Sequence, residues 1–550
     1  PVEVTAGLGF GRLATFGGFD SPLGQIDERC QTRARRDAGV GGELEATEWF
    51  QGDTAAFGGL AWHLGKGFTA KFEYSSDRYN REKKYLEHQT PWNYGLTWNS
   101  GKGYFLQSSF LHGDKIALSA HLVMDPKDPP NGPGRELAPI PLRQKVLKGS
   151  PFYLESTNET VLKSVLKADG FNLLSLNLEQ DPPRLQLVNQ TYRSTAQALG
   201  RAARTAARYL SDNFDSFYIE FIEDDLVVFS AEITRNQMIA SVVSAQPSKK
   251  FLDTVKFQDS KAIGFDQSDF KKFSWAIGPY VEYSLFDPLD PIRWDVGAEL
   301  FTQYTLGSGF YIDGRVRKSV AGSFDKVLRQ SDSVLPHVRS DHDIYGRDGD
   351  PSIDQLTITK VNKIMPSVYG KLTAGYLEKM FAGVSGEILW KPISSSLGIG
   401  IELSQVQQRN FDVLWGLQNY QVTTGHLSAY YFFKNGFMTQ LDAGQYLAGD
   451  RGYTLRMARK FGNGWKMGAY ATVTNVPFEK FGEGSYDKGI FVELPLDWSI
   501  GSPYRTTSKI EFNVMTRDGG AKVHAPYKLH RYLFNKDKNA IYHEAGRLWK

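Results

Sequence analysis

His337, Asp341, His342 and Asp343, with Asp348 and Asp350 beyond them, put imidazole and carboxylate groups within one short loop. Such groups could bind a divalent cation. Their spacing matches no established metal loop, and a solvated loop is the plainer reading. No metal and no cofactor is expected. No G-x-S-x-G stands between a strand and a helix, and no glycine loop is built for phosphates. Carboxylates for glycoside hydrolysis cannot be paired from the sequence, because their separation belongs to the fold. The chain is therefore read as a non-enzyme. Cys30 is the single cysteine, so the chain holds no disulfide of its own and no thiolate metal site; it is read as a loop thiol without a role.

A second set of polar residues recurs at every other position of apolar segments: Glu282, Glu299, Lys371, Glu387, Glu402, Gln440, Asp442, Arg456, Lys466 and Tyr470. On a soluble sandwich these would form the outer face. In a barrel lying in lipid they would line a hydrated lumen, where mixed charges are tolerable. A pore that selects an anionic polymer by charge would show a basic lining. This wall has no single sign. Polymer passage would then depend on hydroxyl, amide and aromatic contacts, or the barrel would be plugged.

The segments that carry these residues have period two. Phe437, Thr439, Leu441 and Ala443 alternate with Met438, Gln440, Asp442 and Gly444. After Gly462-Asn463-Gly464, suited to a tight hairpin, Trp465, Met467, Ala469 and Val473 alternate with Lys466 and Tyr470. The first set is predicted to face outward and the second inward. These strands fit the roughly 9 to 11 residues that cross a bilayer better than the roughly 5 to 6 of a sandwich strand. Tryptophans near strand ends, at positions 62, 275, 294, 390, 465 and 498, suit an interfacial girdle, as do 13% aromatics overall. No stretch approaches the ~18 apolar residues of a membrane helix. A net charge of +3 offers no basic face for nucleic acid.

Taken in order, residues 1–125 hold about six strands. A loop from Asp20 to Asp53, with Arg29, Arg33, Arg35 and Arg36, is read as solvated, with anionic lipid or glycan as the alternative. Residues 126–270 change period. A helix capped at Thr157 or Asn158 runs through Ala168 to Gly170, and a second runs from Ser194 to Leu210 with Arg201, Arg204 and Arg208 on a solvated face. With the strand pairs beside them they are read as a split βαβ domain of about 100 residues in water, since irregular backbone cannot lie in lipid. Residues 271–550 return to about thirteen strands, the last at Gly489 to Leu496 and Thr507 to Met515. The fold class expected is mainly β: an outer-membrane antiparallel β-barrel, one large or two adjoining, with an inserted small α/β periplasmic domain. The rival is a secreted glycan-active enzyme on a β-sandwich. The chain opens directly on a strand and is expected to have lost its natural start.

Several long matches carry a family resemblance: Gly482 to Ile490 (GEGSYDKGI), Thr516 to Gly520 (TRDGG), Phe381 to Glu387 (FAGVSGE), Tyr420 to His426 (YQVTTGH), Tyr192 to Arg201 (YRSTAQALGR) and Phe57 to Leu60 (FGGL). Together they resemble the YjbH family of outer-membrane proteins, which includes the GfcD type. The resemblance implies an outer-membrane barrel acting in exopolysaccharide or group 4 capsule secretion, as polymer conduit or as partner of the export machinery, beside periplasmic and lipoprotein components. It implies no catalytic residue, and family members have further N-terminal strands. Gly482, Gly484 and Gly489 read as a turn or kink and Asp518-Gly519 as a turn. Tyr486 and Asp487 are candidates for glycan contact.

Overall fold

The computed structural model describes residues 1–33, 49–80, 87–131, 135–259, 272–285, 292–324, 331, 333–477, 480, 486–513, 518–534 and 536–550. Arg35, Arg36, Gly482, Gly484, Thr516 and Arg517 lie outside them. The chain divides into two units, Pro1–Pro130 and Asn131–Lys550.

The first unit is one antiparallel meander of six strands, β1 (Val2–Phe10), β2 (Thr54–Gly65), β3 (Phe68–Tyr74), β4 (Trp92–Asn99), β5 (Tyr104–Leu111) and β6 (Lys115–Leu122), each paired with the next. Their alternation puts Val4, Trp62, Leu64, Leu96, Leu106 and Leu118 on an exposed apolar face.

In the second unit the period-3.6 segments become helices for local reasons. Helix α1 (Glu159–Ala168) starts where the Asn158 side chain accepts from the Val161 amide, and it stops before Gly170, whose φ of +84° suits glycine. β7 (Phe171–Asn177) and β8 (Arg184–Asn189) follow. Helix α2 (Thr195–Tyr209) is capped by Ser194 and buries an alanine-rich face. β9 (Ser216–Glu223), β10 (Leu226–Thr234), α3 (Arg235–Val242), α4 (Pro247–Thr254) and β11 (Lys256–Phe257) complete a five-stranded sheet of order β11-β10-β9-β8-β7. Only β8 and β9 pair in parallel. The split βαβ expectation is corrected here: the two parallel strands joined by α2 are direct neighbours, so the unit is an unsplit βαβ flanked by hairpins. The order of elements along the chain does not state which strands become adjacent in space.

The thirteen-stranded antiparallel meander comprises β12 (Phe273–Leu285), β13 (Ile292–Gly307), β14 (Phe310–Gly322), then past helix α5 (His342–Asp348) β15 (Ser352–Met365), β16 (Val368–Tyr376), β17 (Phe381–Trp390), β18 (Leu397–Arg409), β19 (Leu417–Phe432), β20 (Phe437–Gln445), β21 (Arg451–Lys460), β22 (Lys466–Thr474), β23 (Asp487–Pro495), and after α6 (Leu496–Ile500) β24 (Thr507–Asn513). Among the described residues no pairing joins β12 to β24, so the sheet is large and antiparallel without a closing ladder. Its burial is inverted relative to a water-soluble sheet. Leu372, Ile388, Ile401, Leu403, Leu427, Leu455 and Ile490 are exposed, while Thr359, Thr373, Ser385, Ser404 and Thr424 form a buried row of hydroxyls paired strand to strand from β15 to β19.

Over β16–β20 that polar face is buried by the chain's own C-terminal segment, residues 518–534 and 536–550, with α7 (Leu529–Leu533) and α8 (Lys538–His543). Leu529, Leu533, Ile541 and Leu548 join a core shared with α1, α2 and the α/β sheet, and with Tyr369, Leu389 and Phe432 of the large sheet. The α/β segment and the large sheet thus have one continuous core.

Candidate functional site

The ten polar positions singled out by alternation all lie on the buried face of the large sheet, and the register groups them. Lys371 pairs with Glu387 across β16 and β17, Glu387 with Glu402 across β17 and β18, and Glu402 with His426 across β18 and β19. Lys371 Nζ stands 3.4 Å from Glu387, and the Lys371 side chain is 0% exposed. Asp442 accepts from Ser428 at 2.5 Å and from Gln440 at 2.9 Å. Two carboxylates facing each other on neighbouring strands repel, so this arrangement needs cations from elsewhere.

The C-terminal segment supplies them. Lys522 Nζ lies 2.6 Å from Asp442, and Lys528 pairs with Glu402. Lys371 also donates to the Pro526 carbonyl at 3.1 Å, and the Leu529 amide donates to Glu387 at 3.2 Å. The Tyr527 hydroxyl meets Asp313 at 3.0 Å and Gln303 at 2.7 Å. The His530 ring stacks on Tyr430, centroids 5.1 Å apart and 15° from parallel.

Both ends of the segment are anchored. At one end Asp518 accepts from the Arg339 and Ser340 amides, and Gly520 donates to Asp450. At the other, Lys391 and Asp537 pair at 3.2 Å, Lys460 and Glu544 at 2.7 Å, and the Tyr532 hydroxyl donates to Asp224 at 2.7 Å. Glu223 of the α/β segment takes Lys536 at 2.5 Å and also Arg505. Burial alone would raise its carboxyl, but Lys536 and Arg505 hold it below the ordinary range; neighbouring Asp224 is pushed up by burial. Helix α2 clasps the last residues. Arg201 bonds the Lys550 carbonyl and Asp169, Arg204 lies over the Trp549 ring, and Gly200 faces the Leu548 carbonyl so closely that a Cβ would sit 1.8 Å from its oxygen.

Four expectations are corrected. The α2 arginines at 201 and 204 do not form a solvated face: the Arg201 side chain is 2% exposed, because the C-terminal residues pack on it. Trp465 does not point outward and Trp498 is not a girdle residue. Both are buried, edge to face at 5.0 Å, because Trp465 ends a hairpin turn before β22 begins and is free of the strand register. Met467, Ala469 and Val473 are exposed and Tyr470 is buried, as the alternation predicts. Gly489 serves neither turn nor kink. It is paired within β23, and its lack of a side chain makes room for the Tyr470 ring, which a Cβ at this position would approach to 2.6 Å. The histidine and aspartate loop is solvated only in part: His342 bonds Glu282 at 2.7 Å, Asp343 pairs with Arg293 and His337 with Asp341 at 2.9 Å, whereas Asp348 and Asp350 are exposed, Asp350 pairing with Lys318 at 2.6 Å. Among the described residues no group of three or more metal-binding side chains converges.

The remaining candidates are matched within the sheet. Arg317 reaches Glu299 at 2.6 Å, Asp354 at 3.0 Å and Glu282 at 3.4 Å. Arg456 lies 4.8 Å from the Tyr470 and Phe491 rings and 3.5 Å from Glu511, while Lys466 pairs with Glu493 at 2.7 Å. Tyr486 is partly exposed beneath Lys488, and Asp487 lies near the Tyr470 hydroxyl. Sequence reasoning misses Lys522, Lys528 and Lys536. The signal for them is a run of basic residues after the last strand with no period-two pattern.

The family model for YjbH, described as exopolysaccharide biosynthesis protein YbjH, matches residues 1–534. The chain belongs to the YjbH family. It is 26% identical over 571 residues to the "Uncharacterized lipoprotein YjbH" of Escherichia coli (strain K12), covering 98% of this chain and 78% of that protein. Among solved structures, OmpT of Vibrio cholerae and its loop L8 deletion mutant, both outer-membrane proteins, match 40% of the chain at 11% identity with TM-scores of 0.20 and 0.21, covering 79% and 87% of those chains. The resemblance of the YRSTAQALGR segment to this YjbH family thus falls on Ser194, Gly200 and Arg201, the residues of α2 that cap the helix and hold the C-terminus.

Proposed function

We propose that this YjbH-family chain is an outer-membrane protein of exopolysaccharide biogenesis, non-enzymatic, whose large sheet spans the lipid with its apolar face outward. The observation that carries the reading is the inverted burial of the thirteen strands. Exposed leucines and isoleucines over an area this large mark contact with a non-aqueous partner, and a lipid-crossing sheet needs an apolar outer band over a polar interior. A glycan-active enzyme on a sandwich would hide those residues between two sheets. No helix among the described residues is long and apolar enough to cross a membrane. The α/β segment stands in the periplasm, where it meets the periplasmic and lipoprotein components of the secretion system. Polysaccharide is handled at the polar face, which the C-terminal segment occupies.

The test is reconstitution of the full chain with lipids brominated along their acyl chains. Tryptophans at 62, 275, 294 and 390 are exposed and their fluorescence should be quenched, whereas Trp465 and Trp498 retain theirs when the other tryptophans are replaced by Phe. Equal protection of both groups refutes the lipid-facing sheet. In cells, Arg456→Glu with Lys466→Glu would repel Glu511 and Glu493; normal insertion with complete loss of exported polymer would make those two cations polymer ligands.

A further inference from the structure

The carboxylates under the C-terminal segment differ from those elsewhere on the same face. At the other charged cluster the partners come with the strands and their connections: Arg317 of β14 reaches Glu282, Glu299 and Asp354, Arg315 stands 3.8 Å from Glu299, and His342 and Lys379 reach Glu282 at 2.7 and 3.4 Å. In the strip formed by β16–β20, three carboxylates at 387, 402 and 442 share one lysine from the strands, Lys371. The other two cations arrive on a segment that belongs to no ladder of the sheet. Between residues 518 and 536 the one backbone-to-backbone bond described to the large sheet and its connections is the Ala521 carbonyl accepting from Leu447; the Gly520 and Leu529 amides and the Pro526 carbonyl meet side chains instead. Withdrawing the segment would unzip no strand, though it would take Leu529 and Leu533 of α7 out of the shared core, and what it would leave behind is a strip in need of positive charge.

The contacts made there are those a sugar chain makes: ammonium on carboxylate, hydroxyl and amide donors on carboxylates, a carbonyl acceptor on Lys371, and flat groups on aromatic faces. Tyr527 lies on Tyr311 with centroids 5.4 Å apart, and His530 on Tyr430. His426, opposite Glu402, is 6% exposed, and its Nε2 has no partner among the described residues. It is a polar atom built into the strip and unused while the segment is in place.

We propose that residues 518–536 are a resident stand-in for polymer, seated on a glycan-binding strip of Glu387, Glu402, Asp442, His426, Tyr311 and Tyr430 that takes an amine-bearing polysaccharide. This rests on the reading that the polar face handles polysaccharide. With the segment withdrawn the strip keeps three carboxylates against one ammonium, which favours a chain with free amino groups and repels a uronate polymer.

The test uses the full chain in detergent, with oligomers of glucosamine, N-acetylglucosamine and galacturonate as probes in calorimetry. Lys522→Gln with Lys528→Gln loosens the segment and should raise affinity for the glucosamine oligomer about tenfold over the unsubstituted chain, leaving the other two unchanged. Adding Glu402→Gln and Asp442→Asn should remove the gain. No gain in the loosened chain, an equal gain for the acetylated or galacturonate oligomer, or calcium ions alone saturating the strip would each overturn the proposal. Should the loosened chain fail to fold, exchanging the pair as Lys528→Glu with Glu402→Lys keeps the contact and should move preference toward galacturonate; an unmoved preference overturns it equally. Insertion into liposomes is measured separately: a chain that does not insert refutes the membrane reading, and one that inserts without the predicted change refutes only the strip.

Discussion

The two large sheets follow one sequence rule and end in different states. In the first unit the charged strand residues Glu3, Lys71, Glu73 and Lys115 are all exposed, and among the described residues that unit holds no α-helix to cover its six strands. In the second unit Lys371 is 0% exposed and Asp442 3%, under a segment from the far end of the chain. Alternation makes a polar face. In the strip of β16–β20 it becomes a charge-matched interior because a segment carrying Lys522 and Lys528 is laid on it.

That contrast is broken most directly at Lys371. Lys371→Ala removes the one strand cation beside the facing Glu387 and Glu402, and breaking such a buried pair costs about 3–5 kcal/mol. The loss should appear as a lower denaturant midpoint for the second unit, with the first unit unmoved. An equal shift in both would mean the two sheets are not distinct in this respect.

A smaller effect is expected from Gly200→Ala, which touches neither sheet. Its methyl group would meet the Leu548 carbonyl at 1.8 Å, and backbone there must move, at about 1–3 kcal/mol. Limited proteolysis should release the C-terminal residues early, before either sheet is cut. Retained protection would show that the clasp is not made by α2.

The junction of segment and α/β domain should respond to acid. The Glu223 carboxyl is held below its ordinary value of 4.5 by Lys536 and Arg505. Its contribution is therefore complete above about pH 4.5 and is lost as pH falls through the lower folded value. Hydrogen exchange at α7 and α8 should accelerate on acidification below that point and be less pH-dependent in Glu223→Gln. The smallest effect belongs to the first sheet. Lys115 pairs with Asp114 at 2.9 Å at a side-chain exposure of 47%, and Lys115→Ala should change stability by less than about 1 kcal/mol.

Much of the framework is legible in the residues. Period two over Phe437–Gln445 and its relatives states which side chains share a face, and about six and about thirteen strands is also what the two sheets contain. Asn158 and Ser194 mark their helices because capping is a local interaction. Trp465 escapes the pattern because one residue beyond a strand end the alternation no longer governs direction. The helix α2 arginines escape it because an amphipathic pattern reports that a face is polar and not what covers it.

What sequence alone determined is therefore whatever depends on neighbours within a few positions: strand and helix identity, the two faces of each sheet, the turn at Gly464 with its φ of +96°, and membership of a family through matched segments. Only tertiary structure decided that β8 and β9 are adjacent, that Glu387 and Glu402 face each other, and that Lys528, 126 residues from Glu402, supplies the missing cation. The physical reason is range. Dihedral preference and side-chain periodicity act along the chain, whereas a counter-ion for a buried carboxylate is selected by proximity in space, and any lysine that folding brings there will serve.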